Sequence, residues 1–384
     1  MSKVGFTAEE LVRYSRQLVL PEVGIKGQQK LKQARVLIVG AGGLGSPIAF
    51  YLAAAGVGTI GIVDDDAVSI SNLHRQILYR AEDIGRQKAA IARDRLAAIN
   101  PAVDVVPYSQ RLDSFNAIDV INKYDIVADC TDNFPTRYLL NDACVLTRKI
   151  SVYGSVFRFE GQVSVFETPR GPCYRCLHPT PPPPELVQDC AQAGVLGVLP
   201  GIVGTLQANE ILKLILTRGT ALVGRLMMVD ALTARVQEIA IAKDPDCPVC
   251  GTRPTIHSLI DYEAFCSGDR EMPIQEEGKR DFEISVEELK RRMDNGERVA
   301  LLDVREPHER QICNLGGQLI PLRELEQKKS GLDARHELVV YCHHGIRSHA
   351  AVMMLKRSGF HHVKNLVGGI DAWARQIDTA MPRY

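Results

Sequence analysis

Apolar residues fall in short unbroken runs separated by stretches of helical spacing, and that alternation is the first guide to the fold. Arg35-Val-Leu-Ile-Val-Gly40, Thr59-Ile-Gly-Ile-Val-Asp64 and Tyr124-Asp-Ile-Val-Ala-Asp129 are too short and too continuous for amphipathic helices. They read as strands buried on both faces of a parallel sheet. Helical spacing over residues 8–19, over Leu44–Ala55 up to Gly56, and over Lys88–Ile99 supplies the intervening helices, with a further strand near Asp104. Strand, helix and strand in succession predict a doubly wound α/β sheet. Four consecutive prolines, 181–184, exclude helix and central strand, so the chain from there to about Leu196 is expected to be an exposed, mobile loop. Helical spacing returns over Ile202–Leu216.

After Cys250 the pattern breaks. Gly251 to about Arg280 is polar, without a long apolar pattern, and reads as a linker. Beyond it, Ser285-Val-Glu-Glu-Leu-Lys suggests a capped helix, Val299–Asp303 and Glu337–Cys342 two strands, and Ser348–Ser358 a helix. The expected organisation is a first domain over 1–251, a linker over 252–280 and a small second α/β domain over 281–384. Length agrees, since 384 residues at 45% hydrophobic content exceed the ~250 to 300 residues at which single cores stop growing. The 46 basic and 46 acidic side chains balance, which argues against an electrostatic grip on nucleic acid or anionic lipid. No apolar stretch reaches the roughly 18 residues of a membrane span, and the start lacks the apolar core of a signal peptide. A soluble, cytoplasmic protein is expected, whose ten cysteines are metal ligands, nucleophiles or buried thiols rather than disulfides.

Candidate chemistry starts at Gly40-Ala-Gly42-Gly43-Leu-Gly45, which follows a strand and opens a helix. Backbone amides and the helix dipole there can meet phosphate oxygens, and Asp64, about 20 residues on, is placed to hold ribose hydroxyls. Alone, the loop fits a dinucleotide cofactor or plain turn glycines. Ser71, Asn72, Arg75 and Lys88 then add polar and cationic groups that a redox cofactor does not need, and two cations beside a nucleotide point to a triphosphate. Asp132 and Asn133 end a strand at the carboxyl edge of the sheet, where Mg²⁺ or nucleotide is expected, although each taken singly fits a solvated side chain. Cys173-Tyr-Arg-Cys176 and Cys247-Pro-Val-Cys250 have the ligand count and spacing of a structural zinc; unrelated buried thiols are the alternative.

In this order the motifs resemble the ubiquitin-activating-like adenylyltransferases that serve molybdopterin synthase and thiamine biosynthesis. The resemblance spans residues 8–251 and includes Arg13-Tyr-Ser-Arg16-Gln and Gly171-Pro-Cys-Tyr-Arg-Cys176. It implies a Rossmann-like adenylation domain that binds MgATP and the C-terminal Gly-Gly tail of a ubiquitin-fold sulfur carrier, transfers AMP to the tail carboxylate and releases pyrophosphate. It also implies that Arg75 and Lys88 neutralise phosphate charge, that Asp132 holds the metal, and that Arg16 reaches the ATP site of the other subunit of a homodimer. Zinc on Cys173, Cys176, Cys247 and Cys250 would leave no position for water and so be structural. Cys190 matches a position at which relatives carry a cysteine able to bond to the activated carrier. Cys130, Cys144, Cys266 and Cys313 have no role legible from sequence.

Tyr341-Cys342-His-His-Gly-Ile-Arg347-Ser348 places a cysteine between a strand and a helix, where turn amides, the helix N-terminus and Arg347 favour an anion at sulfur. A metal site or a buried strand cysteine are the alternatives. Residues 281–384 resemble single-domain rhodaneses, through Leu301-Leu-Asp303-Val-Arg305-Glu-Pro-His-Glu309 and Val367-Gly-Gly-Ile-Asp-Ala-Trp373. The implied role of Cys342 is to carry a sulfane sulfur as a persulfide, taken from a donor such as thiosulfate or a cysteine desulfurase. An adenylyltransferase joined to a sulfurtransferase would then make a carrier thiocarboxylate for molybdenum cofactor or related biosynthesis. An NAD-linked oxidoreductase fused to a rhodanese, and a non-catalytic carrier-binding module, are the competing readings.

Overall fold

The computed structural model describes residues 5–182, 194–267, 282–297, 299–332 and 337–384. The chain divides into two compact units, one holding the described residues up to Ser267 and the other those from Phe282 onward.

The first unit is built on a sheet in the order β3-β2-β1-β4-β5-β6-β7-β8. Its parallel half comprises β1 (Arg35–Val39), β2 (Thr59–Val63), β3 (Asp104–Tyr108), β4 (Ile126–Asp129) and β5 (Ile150–Phe157). The chain winds from β1 outward through β2 and β3, then crosses to the other side of β1 for β4. The order therefore reverses beside β1, where the carboxyl ends of Val39 and Asp129 lie in register and the loops Gly40–Leu44 and Cys130–Asn133 diverge. Such a switch point is where open α/β sheets bind ligands. Apolar clusters cover both faces: Ile48, Leu52, Leu96, Leu199 and Ile211 on one, Val120, Ile121, Leu139 and Leu140 on the other. This double cover is why the strands read as unbroken apolar runs.

Three features depart from the sequence pattern or add to it. The sheet continues antiparallel through β6 (Glu160–Phe166), β7 (Arg225–Asp230) and β8 (Arg235–Ala240), and β8 is exposed along its whole length, so it carries no buried-run signal. The helix expected over 8–19 is two, Ala8–Arg13 and Ser15–Leu18, broken at Tyr14 (φ −93°, ψ 8°). Tyr14 is drawn inward, its hydroxyl accepting from Asn100 Nδ2 at 2.8 Å and its ring lying where a side chain at Gly56 (φ 82°) would stand. Third, the described residues after Cys250, 251–267, belong to the first unit. Tyr262 and Phe265 on its helix Tyr262–Ser267 bury against the Phe134–Thr147 helix, two aromatic anchors in an otherwise polar stretch. The remainder of the expected linker, and all of the proline-rich loop from 183 to 193 with Cys190, lie outside the described residues.

The second unit is a parallel sheet in the order β11-β10-β12-β13-β9: β9 (Glu283–Ile284), β10 (Ala300–Asp303), β11 (Gln318–Leu319), β12 (Leu338–Tyr341) and β13 (Val363–Leu366). Apolar clusters again lie on both faces. Ser285 caps the helix Val286–Asp294, its hydroxyl accepting the Glu288 amide at 3.2 Å, as the sequence led one to expect. Among the described residues no helix is long and apolar enough to cross a membrane.

Candidate functional site

At the switch point of the first unit a cleft of about 490 Å³ is lined by Gly40, Gly42, Asp64, Asn72, Arg75, Lys88, Asp132 and Asn133. Two of the glycines are compelled. Gly40 has φ 94° and a Cβ there would sit 2.7 Å from the Cys130 carbonyl; one on Gly45 would meet the Gly40 carbonyl at 2.0 Å. Gly42, by contrast, opens toward the cleft, with only Gln76 nearby. Gly43 packs against Pro200 and, with Gly45, does not line the cleft.

Asp64 anchors the loop as well as facing the cavity. Its Oδ2 accepts the Ala41 amide at 2.8 Å and its Oδ1 the Asp66 amide at 3.0 Å. Burial pushes its carboxyl upward against the opposing pull of Lys88. Lys88 is itself buried, 2.8 Å from Asp66 and 3.9 Å from Asp64, so this cation is held at the cavity wall by two carboxylates. Arg75 is turned onto the Ser71 carbonyl at 3.0 Å, and Ser71 is exposed outside the cleft. Asn133 caps the Phe134–Thr147 helix, its Oδ1 accepting the Thr136 amide at 3.0 Å. Asp132 is exposed at the mouth. Among the described residues, the carboxylates that converge closely enough to share a cation are Asp64, Asp65 and Asp66, without Asp132. Arg16 is exposed and does not line this cleft. Asp65, Asp66 and the loop Gln110-Arg111-Leu112 also line it, and no motif pointed to them; Gln76, the last residue of the Ser71-Asn-Leu-His-Arg-Gln76 motif, lines it too.

The four knuckle cysteines meet. Their sulfurs all lie within 4.8 Å of one another, with Cys173–Cys247 at 3.6 Å, Cys176–Cys250 at 3.4 Å and Cys173–Cys176 at 4.0 Å. A tetrahedral zinc with Zn–S of about 2.3 Å requires sulfurs about 3.8 Å apart, so the set fits that metal and is closed to water. The Asp244 amide donates to Cys176 Sγ at 3.4 Å, the kind of support a thiolate ligand receives. The knuckle is tied to the fold by residues that sequence reading missed. Arg175, inside the first C-x-x-C, makes two 2.8 Å bonds to Asp142, whose Oδ2 also accepts from Tyr262 at 2.8 Å. Its guanidinium lies 4.8 Å from the Tyr138 ring and 4.6 Å from that of Phe265.

In the second unit Cys342 follows β12 and is 1% exposed. The loop turns at Gly345 (φ 95°), whose amide donates to Cys342 Sγ at 3.2 Å, and the Ser348 hydroxyl lies 3.4 Å from the same sulfur. The Ser348 hydroxyl also lies 3.1 Å from the Gly345 carbonyl, its alternative acceptor. Arg347 is aimed elsewhere: both terminal nitrogens engage Glu309, at 2.7 and 2.6 Å, within a buried pair. Burial also pushes the His343 imidazole down to about 4, with His344 as the next cause, so it is neutral near pH 7.

A glycine-loop α/β unit with a closed four-cysteine cluster, carried on one chain with a thiol-loop α/β unit, is the combination that the sequence resemblance implied for an adenylyltransferase joined to a sulfurtransferase. The comparisons agree. The ThiF family model matches residues 14–249 and the rhodanese-like domain model residues 285–376. The chain is 46% identical over 388 residues to the probable adenylyltransferase/sulfurtransferase MoeZ of Mycobacterium tuberculosis, covering 99% of this chain and 97% of that protein. It is 44% identical to the adenylyltransferase and sulfurtransferase MOCS3 of Sus scrofa, over all of this chain and 89% of that one. Over 68% of its length it is similar to a sulfur carrier protein adenylyltransferase of Thermus thermophilus, at 54% identity over 266 residues and 98% of that protein. Among solved structures, E. coli MccB with ATP matches at TM-score 0.55 and 21% identity over 62% of this chain and 74% of that one, a likeness of fold. The chain belongs to the ThiF family, and within it to the adenylyltransferases/sulfurtransferases that end in a rhodanese-like domain. The oxidoreductase reading finds no support among these relatives.

Proposed function

We propose that this enzyme activates the C-terminal Gly-Gly carboxylate of a ubiquitin-fold sulfur carrier with MgATP and then converts it to a thiocarboxylate with sulfur carried on Cys342. The observation that carries the reading is the cleft itself: a glycine loop, a buried lysine and an arginine converge at a sheet switch point, where carboxylate and triphosphate can be held together. The carrier carboxylate attacks the α-phosphorus and pyrophosphate departs, leaving an acyl adenylate. Lys88 and Arg75 stabilise the charge that develops on the phosphates. Mg²⁺ would make the phosphorus more electrophilic; the Asp64–Asp66 carboxylates lie close enough together to hold it, and Asp132, at the cleft mouth, would be a further ligand. Asn72 and Asn133 would bind nucleotide, and Arg16, exposed on its helix, would reach the partner site of a homodimer.

A persulfide on Cys342 then attacks the acyl carbon and expels AMP, giving an acyl disulfide. A thiol, from Cys190 or an external reductant, attacks the Cys342 sulfur of that disulfide and releases the thiocarboxylate. Zinc on the four cysteines stabilises the first unit and takes no part in these steps. The sulfur comes from a sulfane donor such as thiosulfate or a desulfurase persulfide, the product feeds molybdopterin or a related sulfur-dependent synthesis, and the cytoplasm is the setting. The similarity to a sulfur carrier protein adenylyltransferase supports the choice of partner.

The test is pyrophosphate exchange into ATP with a Gly-Gly carrier. Exchange should depend on the carrier and be abolished in Asp132→Ala. Cys342→Ala should keep exchange and make no thiocarboxylate by mass spectrometry. Absence of carrier-dependent exchange would refute the adenylation step, and thiocarboxylate made by Cys342→Ala would refute the sulfur step.

A further inference from the structure

The helix Gly369–Gln376 closes the part of the chain that the rhodanese-like model matches, residues 285–376. Beyond that helix the chain turns back. Asp378 accepts the Ala380 amide on its side chain at 3.2 Å and the Met381 amide on its carbonyl at 3.0 Å. Arg383 Nε then donates to Asp371 Oδ1 at 3.0 Å, and the Asp371 amide holds the His343 carbonyl at 3.0 Å. Tyr384 then reaches the thiol loop itself. Its phenol donates to Glu309 Oε1 at 3.1 Å and accepts from Arg305 Nη1 at 2.8 Å. Its ring stacks on His343, 4.2 Å between centroids and 3° between planes.

These contacts join two buried ion pairs. Arg305 is fixed by Asp303 at 2.9 and 2.7 Å, and Glu309 grips Arg347, in the first turn of the helix Ile346–Arg357 that follows the Cys342 loop. The phenol links the side chains of the two pairs, a donor to the carboxylate and an acceptor from the guanidinium, beside a 3.5 Å bond from Arg305 Nη1 to the Glu309 carbonyl. Among the described residues His343 Nδ1 and Arg347 Nε are buried without hydrogen-bond partners, so fewer contacts fix these two side chains than their burial would lead one to expect. Ring stacking and the tether through Glu309 therefore weigh heavily in setting where His343 and Arg347 stand. A leucine at 384 would fill the space but supply neither function.

We propose that Tyr384 is a positioning residue for sulfur transfer: its phenol sets Glu309, and through it Arg347, while its ring seats His343 beside Cys342. The segment 378–384 is then a working part of the sulfur site although it lies beyond the matched domain. The inference rests on the reading of Cys342 as the sulfur carrier.

The experiment uses full-length protein with Tyr384→Phe, which keeps the stack and removes the phenol link, and Tyr384→Leu, which removes both. Thiosulfate and cyanide are donor and acceptor, and thiocyanate is measured. Tyr384→Phe should lower kcat about tenfold with KM for thiosulfate changed less than about twofold, and Tyr384→Leu should lower it further. The rate of Cys342 alkylation by iodoacetamide, followed on its own peptide by mass spectrometry, should change in the same order. Thermal unfolding measured alongside separates positioning from loss of fold. Wild-type turnover and alkylation in Tyr384→Phe would overturn the proposal, as would a loss of turnover no greater than the loss of folded protein. If wild-type protein formed no thiocyanate, the sulfur-carrier reading would fall, while the alkylation rates would still decide whether Tyr384 sets the loop.

Discussion

Lys88 and His343 are two buried basic side chains in different surroundings. Lys88 is 3% exposed, and two carboxylates hold this cation at the cleft wall, where phosphate would arrive. Replacing it with alanine removes that charge and leaves Asp64 without its counter-ion. Lys88→Ala is expected to slow carrier-dependent pyrophosphate exchange by about 100-fold or more, the scale of a lost charge-stabilising group. Exchange within a few fold of wild type would mean that Lys88 serves only the Asp64–Asp66 loop. His343 is 2% exposed and faces His344, Asp371, Glu309, Arg347 and Tyr384 without a hydrogen bond to its Nδ1. Its value of about 4 lies below the ordinary 6.5, so between those two pH values the unfolded chain binds a proton that the folded one refuses. Stability of the second unit therefore falls as pH drops through that window, by at most about 1.4 kcal/mol per pH unit from this group. The midpoint of thermal unfolding, followed from pH 7 to 4, should decline less steeply in His343→Gln. Identical slopes would show that other groups govern acid unfolding.

At the level of elements, the cysteine knuckle and the helix Tyr262–Ser267 are joined through one aspartate. Asp142 receives two bonds from Arg175 and one from Tyr262, and Arg175 and Asp142 are 1% and 0% exposed in their side chains. Removing one partner of such a pair leaves a buried charge unmet, so Asp142→Ala should destabilise the first unit by about 3 to 5 kcal/mol, whereas Tyr262→Phe, losing one bond, should cost about 1. Urea unfolding of both variants checks the order. Metal removal should act on the same place: a chelator is expected to lower the unfolding midpoint of wild type and to release about one zinc per chain, as a four-thiolate site implies. Much of this level was legible in the sequence. The knuckles, the glycine loop and the parallel strands each have a fixed spacing or an unbroken apolar run, and the structure places them together. What escaped is long-range polar pairing. Nothing local marks Asp142 as the partner of Arg175, 33 residues away, or Tyr384 as the partner of Glu309, 75 residues away. The antiparallel strands escaped for a different reason, since β8 faces solvent throughout and has no buried face to set a period.

For the whole molecule, the question is why adenylation and sulfur transfer share one chain. An acyl adenylate is open to hydrolysis, and a persulfide held on the same polypeptide meets it at an effective concentration that a separate protein matches only at about millimolar levels. Covalent linkage should therefore matter most when the enzyme is dilute. Full-length Cys342→Ala, which adenylates but lacks the sulfur thiol, can be mixed with full-length Asp132→Ala, which keeps the thiol but is expected not to adenylate. Thiocarboxylate formation by the mixture should rise in proportion to the concentration of the Asp132→Ala protein. Per active site, the wild-type rate should not depend on concentration. Rates at micromolar protein should then favour wild type by at least about tenfold, with the gap closing as the mixture is concentrated. A mixture as fast as wild type at every concentration would show either that subunits exchange partners within a dimer or that sulfur transfer is not limiting. Repeating the mixing after each variant has been crosslinked to a second copy of itself distinguishes these. If crosslinking abolishes the rapid rate, sulfur passes between subunits of one dimer; if it does not, the linkage of the two units does not set the rate.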